Sequence, residues 1–280
     1  SLDGTNFQAS GSFGSLAAGS YTLTVKDANG CISSSAASIV EPAAITVTST
    51  ITDVSCNGDA SGAIDVMAQG GTGNLEYSLD GTNFQASNTF SGLATGMYTL
   101  TVRDTNGCTI TATETISEPV AITANTTATD VTCNGEMDGI ITVTASGGTG
   151  NLEFSLDGTD FQASDSFTGL AAGAYTITVR DANSCTITAT ATIAEPTALT
   201  VTTTVVDATC NGDSNGSITV TASGGTGTLE YSLDGSTFQA GDSFTGLAAG
   251  NYTITARDAN GCSVTTTTTI SEPAALVVSA

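Results

Sequence analysis

The sequence of 280 residues contains no histidine and no tryptophan, and only four of its residues are lysine or arginine. Without histidine, the chain lacks the side chain that most often transfers protons in enzymes near neutral pH. Amine nucleophiles are equally scarce, because Lys26 is the only lysine. We therefore expect a protein that is not an enzyme and that uses no cofactor, apart from the calcium considered below.

The sequence has 27 acidic residues against these four basic ones, and its formal net charge is −23. Nucleic acids and anionic membrane surfaces are negatively charged too and would be repelled. The sequence also lacks an initiator methionine, a basic segment followed by an apolar stretch, and any apolar run long enough to span a bilayer. We expect no nucleic-acid partner, no direct membrane insertion in this segment, and any targeting signal to lie outside it.

What the sequence does contain is a repeat of 77 residues without insertion or deletion. Two sets of cysteines keep this step: Cys31, Cys108, Cys185 and Cys262, and then Cys56, Cys133 and Cys210. A fixed step of this size indicates an array of modules. Boundaries placed after the Glu-Pro pairs predict the carboxyl-terminal part of a repeat at 1–42, full repeats at 43–119, 120–196 and 197–273, and the start of another at 274–280.

Each repeat alternates apolar and polar residues in short segments. Tyr98, Leu100 and Val102 alternate with polar residues, and turn pairs such as Asn57-Gly58 and Asp80-Gly81 separate one segment from the next. No segment has a helical period, and about seven short strands per repeat are typical of small sandwiches. We predict an all-β fold, a tandem array of immunoglobulin-like or reverse-immunoglobulin β-sandwich modules.

The motifs of one repeat, between Cys56 and Pro119, follow a specific order. They are C-N-G-x-x-x-G-x-I, G-G-T-G, an aromatic strand with S-L-D-G, F-x-G-L-x-x-G-x-Y-T, V-x-D-x-N-G-C and E-P. This combined pattern resembles the SprB-type repeat of large surface adhesins of Bacteroidota, including adhesins that gliding cells move along their surface. The resemblance implies a secreted protein, a cell-surface location and a long filament-like chain.

Disulfides are expected because a module of this length buries only a small core, and they point to an oxidising, extracellular location. Pairing within a repeat requires only that the turn after the first strand approach the turn before the last. This interpretation gives Cys56–Cys108, Cys133–Cys185 and Cys210–Cys262, and leaves Cys31 without a partner. Pairing across a junction, Cys31–Cys56 or Cys108–Cys133, is the alternative, since loop entropies of about 4 and about 3.5 kcal/mol do not separate the two. If the first and last strands were parallel, the two turns would lie at opposite ends.

Charged residues at repeated positions suggest two further kinds of site. Cross-strand ion pairs are predicted between an outward glutamate and the arginine of each full repeat, at Glu76–Arg103, Glu153–Arg180 and Glu230–Arg257. Acidic residues near glycine turns are candidate calcium ligands, with ordinary turn residues as the alternative: Asp59, Asp104, Glu136, Asp138 and Asp213.

Together these features predict the structural shaft of an extracellular repeat adhesin or surface filament, giving reach and serving surface attachment or gliding. Its partners would be the neighbouring modules and other copies in a filament. The alternative is a multivalent module whose loops bind carbohydrate, such as surface glycans, or another cell. Aromatic residues make up only 5% of the chain and sit at core-like positions, which favours the shaft.

Overall fold

A computed structural model describes residues 1–278, and all regular structure within this range is β-strand. The all-β fold with a tandem array of β-sandwich modules, predicted from the alternating segments, is confirmed. The chain divides into two compact units, Ser1–Pro119 and Val120–Ala280. The predicted start of a further repeat at 274–280 includes residues 279–280, which lie outside the described range. No helix among the described residues is both long and apolar enough to cross a membrane.

The first unit contains an antiparallel hairpin followed by one full repeat of six strands. The hairpin strands are β1 (Gly19–Lys26) and β2 (Ile32–Ile39). The strands of the full repeat are β3 (Thr46–Thr52), β4 (Gly62–Gln69), β5 (Glu76–Ser78), β6 (Thr89–Leu93), β7 (Gly96–Arg103) and β8 (Thr109–Ile116).

The second unit contains two full repeats, each with the same six strands. The first of them has β9 (Thr123–Thr129), β10 (Gly139–Ser146), β11 (Glu153–Ser155), β12 (Ser166–Leu170), β13 (Gly173–Arg180) and β14 (Thr186–Ile193). The second has β15 (Thr200–Val206), β16 (Gly216–Ser223), β17 (Glu230–Ser232), β18 (Ser243–Leu247), β19 (Gly250–Arg257) and β20 (Ser263–Ile270).

Every full repeat is a sandwich of two three-stranded antiparallel sheets. In repeat 120–196 one sheet has the order β12-β10-β9 and the other β11-β13-β14. Alternate residues of the two central strands face the interior. Ile141 and Val143 of β10 share a core with Ile177 and Val179 of β13, and all four are at most 1% exposed. Full burial of such side chains stabilises the fold by about 1.5 to 3 kcal/mol each.

The first and last strands of a repeat run parallel to one another along one edge of the sandwich. The Thr126 hydroxyl donates to the carbonyl of Thr190 over 2.8 Å, and the Val131 amide donates to the carbonyl of Ala194 over 3.2 Å. Both residue numbers increase together from the first contact to the second, so β9 and β14 point the same way. The loop after the first strand and the turn before the last strand therefore lie at opposite ends of the module.

A glycine pair after β10 lets the chain pass closely over the start of the repeat. Gly147 has a φ of +89°, and a Cβ atom there would lie 2.1 Å from the carbonyl oxygen of Ala121. Gly70 and Gly224 occupy the same position in the other repeats, with the same 2.1 Å approach. Only glycine fits this site, because both the dihedral angle and the space exclude a side chain.

We expect Gly147→Ala to destabilise its repeat more than Gly158→Ala, which provides a matched control. Gly158 has a φ of +76°, but its nearest neighbour to a new Cβ is 3.8 Å away. Gly158→Ala should cost about 1 to 2 kcal/mol for the left-handed backbone alone. Gly147→Ala should cost a further 1 to 3 kcal/mol or so for the clash. Thermal unfolding followed by circular dichroism measures both, and equal losses would show that the close approach does not constrain the fold.

Candidate functional site

The first cysteine of each repeat lies in a loop at the carboxyl-terminal end of its module. In repeat 120–196 this cysteine loop spans residues 130–138, between β9 and β10. The Asn134 side-chain amide donates to the carbonyl of Pro196 over 3.1 Å, and the Gly135 amide donates to Glu195 Oε2 over 3.0 Å. These bonds attach the loop to the Glu-Pro pair that ends the repeat. The same bonds recur as Asn57 to Pro119, Gly58 to Glu118, Asn211 to Pro273 and Gly212 to Glu272.

The second cysteine lies in a tight turn at the amino-terminal end. In repeat 197–273 this cysteine turn spans residues 258–262, between β19 and β20. Asp258 is buried, and its carboxylate accepts hydrogen bonds from the Cys262 amide at 2.9 Å and the Thr226 amide at 2.7 Å. Gly225, next to Thr226, donates its amide to the carbonyl of Thr197, where the repeat begins. The buried carboxylate thus fixes the turn against the start of its own module.

A disulfide joins these two features across the junction between the two repeats of the second unit. Cys133 of the first repeat is bonded to Cys262 of the second, with their Cα atoms 5.6 Å apart and a sequence separation of 129 residues. The Asn260 side-chain amide donates to the carbonyl of Thr132 over 3.1 Å beside the bond. The covalent bond and the hydrogen bond hold the cysteine loop of one module against the cysteine turn of the next.

The predicted pairing within each repeat is wrong. Cys133 is bonded to Cys262 and not to Cys185, and within residues 1–278 Cys31, Cys108 and Cys210 are exposed free thiols. This excludes the pairs Cys56–Cys108, Cys133–Cys185 and Cys210–Cys262, and also the alternatives Cys31–Cys56 and Cys108–Cys133. Cys56 and Cys185 are disulfide-bonded as well. The physical reason is the parallel course of the first and last strands, which places the two cysteines of one repeat at opposite ends.

The structure brings together all three charged pairs named from the sequence. The guanidinium of Arg103 lies 2.5 Å from Glu76, with 2.6 Å for Arg180–Glu153 and 2.7 Å for Arg257–Glu230. In each case the glutamate and the arginine are direct cross-strand neighbours, as Glu76 and Arg103 are on β5 and β7. Both side chains remain about one third to one half exposed, so each pair contributes about 0 to 1 kcal/mol.

Sequence reasoning missed the third member of this cluster, a phenylalanine beneath each cation. The guanidinium carbon lies 3.7 to 3.8 Å from the ring centroid in Arg103–Phe84, Arg180–Phe161 and Arg257–Phe238. Lys26 lies over Phe7 in the same way, at 4.3 Å. The signal was present in the sequence, because the cation and the phenylalanine recur with the same step of 77 residues.

A second recurrent carboxylate organises the turn after the short third strand. Asp80 Oδ1 accepts hydrogen bonds from the amides of Asn83 at 2.7 Å and Thr82 at 2.8 Å, and from the Ser78 hydroxyl at 2.8 Å. These donors, the Asn83 amide first, hold the pKa of Asp80 well below its usual range. Equivalent turns lower the pKa of Asp157, chiefly through the Thr159 amide, and of Asp234, chiefly through the Thr237 amide.

The acidic residues named as candidate calcium ligands are distributed over both ends of the modules. Asp104 accepts from the amides of Thr72 and Cys108, and the Thr72 amide is the main cause of its lowered pKa. Asp138 accepts from the hydroxyl and the amide of Thr132, which likewise lower its pKa. Asp59, Glu136 and Asp213 are turn residues of the cysteine loops, each with its amide bonded to the preceding cysteine carbonyl. Within residues 1–278 no three acidic or cysteine side chains converge in a group suited to a metal ion.

Three sandwiches with the same order of six strands, two of them joined by a disulfide within the second unit, define a tandem β-sandwich repeat protein. The family model described as the SprB repeat matches this chain three times, at residues 48–84, 125–161 and 202–238. Each full repeat thus contains one match to the SprB repeat model, and the resemblance stated from the motifs is confirmed. No curated protein matches the chain.

Solved structures with some similarity each contain several domains or modules. Fibronectin(III)-like modules of CbhA from Clostridium thermocellum are 17% identical, over 54% of this chain and 95% of that one, with a TM-score of 0.26. Domains 4–9 of surface layer protein SbsC are 14% identical, over 84% of this chain and 48% of that one, with a TM-score of 0.24. The four amino-terminal Ig domains of Dscam1 isoform 6.44 are 12% identical, over 95% of this chain and 83% of that one, with a TM-score of 0.25. Scores this low support no statement about function.

Lowered carboxylate pKa values predict a loss of stability in acid. An aspartate titrates near pH 3.9 in the unfolded chain, so the stability from the turns of Asp80, Asp157 and Asp234 is complete above about pH 5 and is lost as the pH falls below about 4. The triple variant Asp80→Asn, Asp157→Asn and Asp234→Asn should be less stable at pH 7 and should melt with a flatter pH dependence between pH 5 and 2.

The control for this pH profile removes the same number of charges at three exposed carboxylates outside these turns, through Asp59→Asn, Glu136→Gln and Asp242→Asn. Melting temperatures of the wild type and both variants are compared across the acid range. If the control flattens the profile as much as the turn variant, general charge repulsion and not the turns causes the acid dependence.

Two substitutions in the cluster of Glu153, Arg180 and Phe161 should lower the free energy of unfolding, with different dependence on salt. Glu153→Gln should lower the free energy of unfolding by up to about 1 kcal/mol, and this loss should disappear at about 1 M NaCl, where the Debye length is about 3 Å. Phe161→Leu should lose about 0.5 to 1 kcal/mol or somewhat more, largely independent of salt. Chemical denaturation with urea measures both, with Glu136→Gln as the control for loss of one negative charge. A Glu153→Gln loss that persists in high salt would contradict the ion-pair interpretation.

Proposed function

We propose that this chain forms part of the shaft of an extracellular surface adhesin or filament, where its repeats provide reach for surface attachment or gliding. The observation that supports this most directly is the Cys133–Cys262 disulfide, because it joins two consecutive modules instead of closing one. A bond in that position strengthens the connection between modules. This is what a spacer needs, whereas an independent binding domain does not need it.

The same disulfide and the repeat type both support a location outside the cytoplasm. Disulfides form and persist in oxidising surroundings outside the cytoplasm. SprB repeats occur in cell-surface proteins, and repeated sandwich domains of this kind are typically not enzymes. An exported, non-enzymatic surface protein is consistent with both observations.

The charge distribution also suits an extended array. Acidic residues recur in every module, and the formal net charge of the chain is −23. Like charge keeps proteins soluble and opposes collapse of one module onto another or of one chain onto another. This favours a shaft that stays extended and dispersed at a crowded surface.

Multivalent glycan binding is the second candidate, and one observation favours it. An open cleft of about 430 Å³ lies at the junction of repeats 120–196 and 197–273, with Glu136 and Asp258 among its polar lining residues. Against it, the partly buried phenylalanine rings that could stack on a sugar already contact an arginine. In Phe84, Phe161 and Phe238 a guanidinium lies over the ring within 3.8 Å. The shaft therefore remains the better-supported proposal.

The shaft proposal is tested by changing the number of repeats in the protein as its own cells produce it. We expect in-frame deletion of residues 120–196 to bring a gold-labelled tag on the distal side closer to the cell surface by about 35 to 40 Å, the length of one small sandwich. Duplication of the same residues should move it outward by an equal step. Electron tomography of intact cells measures both distances.

A tag distance that does not change with repeat number would contradict the shaft. The purified chain is tested in parallel on a glycan array. Binding that strengthens with each added repeat would support the second candidate in its place, whereas a shaft alone should give no signal.

A further inference from the structure

We propose that the Cys133–Cys262 disulfide forms a covalent bypass, which transmits tension along the array past the folded interior of both repeats. The bypass consists of residues 120–133, the disulfide and residues 262–273. Segment 134–261, with ten of the twelve strands of the second unit, lies outside this route. The inference deepens the proposed shaft function and depends on it only for the source of the tension.

The bypass is continuous because both of its strands run from the start of a module to its end. β9 begins after Val120 and leads to the cysteine loop, which is bonded to the Glu-Pro pair at the end of its repeat. The disulfide then crosses to Cys262 at the start of the next repeat. From there β20 leads to Glu272, which accepts the amide of Gly212 at the far end.

Tension along the bypass would load the two strands along their own length. β9 pairs with β10 over consecutive residues from Thr123–Ser146 to Thr129–Ile140, and β20 pairs with β19 from Ser263–Arg257 to Ile270–Gly250. The force enters at one end of each strand and leaves at its other end, so the covalent backbone of the strand carries it. The antiparallel hydrogen bonds lie perpendicular to that direction and are not opened pair by pair.

The bypass also limits how far the array can lengthen if a module unfolds. The disulfide joins two residues that are 129 positions apart in the sequence, so the segment between them is not part of the stretched path. An extended chain spans at most about 3.3 to 3.6 Å per residue, so the excluded length is about 430 to 460 Å. In a chain whose only disulfide is Cys133–Cys262, unfolding of both repeats would release that length once the bond is reduced. While the bond is intact, the two ends of segment 134–261 stay together.

Stretching single molecules of the full chain tests the bypass. The chain keeps only Cys133 and Cys262, with Cys31→Ser, Cys56→Ser, Cys108→Ser, Cys185→Ser and Cys210→Ser, and is held at its two ends in optical tweezers. We expect the fully extended length to be shorter by about 430 to 460 Å before reduction than after addition of a reductant. The matched control also carries Cys133→Ser and Cys262→Ser, and its length should not change with reductant.

Equal lengths before and after reduction would overturn the bypass. Because the multiple variant could fold poorly, peptide mapping of the unreduced wild-type chain provides a second measurement. A linked peptide pair containing Cys133 and Cys262 supports the bypass, and a pair containing Cys133 and Cys185 overturns it. Neither outcome depends on the distance measured on cells, so failure of the bypass and failure of the shaft can be told apart.

Discussion

The parallel course of the first and last strands is the constraint on which the cross-linking of this array depends. Contacts from Thr126 to Thr190 and from Val131 to Ala194 fix the direction of both strands. As a result, every repeat presents one cysteine at each end. A module built this way cannot close a disulfide on itself and can form one only with another module. The direction of two strands thus decides whether the cysteines stabilise single domains or connect them.

Most of the fold could be predicted from the sequence because its elements are local. Alternation of Tyr98, Leu100 and Val102 indicates a strand with one buried face, and the structure places β7 there with Leu100 and Val102 fully buried. The charged pairs were predictable for a related reason. Glu76 and Arg103 point outward on strands expected to be neighbours, and a cross-strand pair needs no knowledge of more distant geometry. Recurrence of the same residues in every repeat made each inference stronger.

The disulfide pairing could not be predicted, since it depends on a non-local fact. Loop entropy depends only weakly on loop length, so it did not separate the competing pairings. Strand direction would have separated them, but β9 and β14 meet through a few side-chain and end contacts that leave no periodic pattern in the sequence. The burial of Asp104, named as a candidate calcium ligand or turn residue, also depends on non-local contacts. Its carboxylate accepts a hydrogen bond from the amide of Thr72, which lies 32 residues earlier in the chain.

The closed loop between Cys133 and Cys262 has a consequence for survival outside the cell, where proteases are abundant. A single cut in the main chain normally divides a protein into two pieces. Here, a cut at any peptide bond from 134 to 261 leaves the two sides joined through sulfur. The exposed turn at Asp157–Asp160 lies inside this range. An array linked in this way can be nicked within its modules and still remain one continuous molecule.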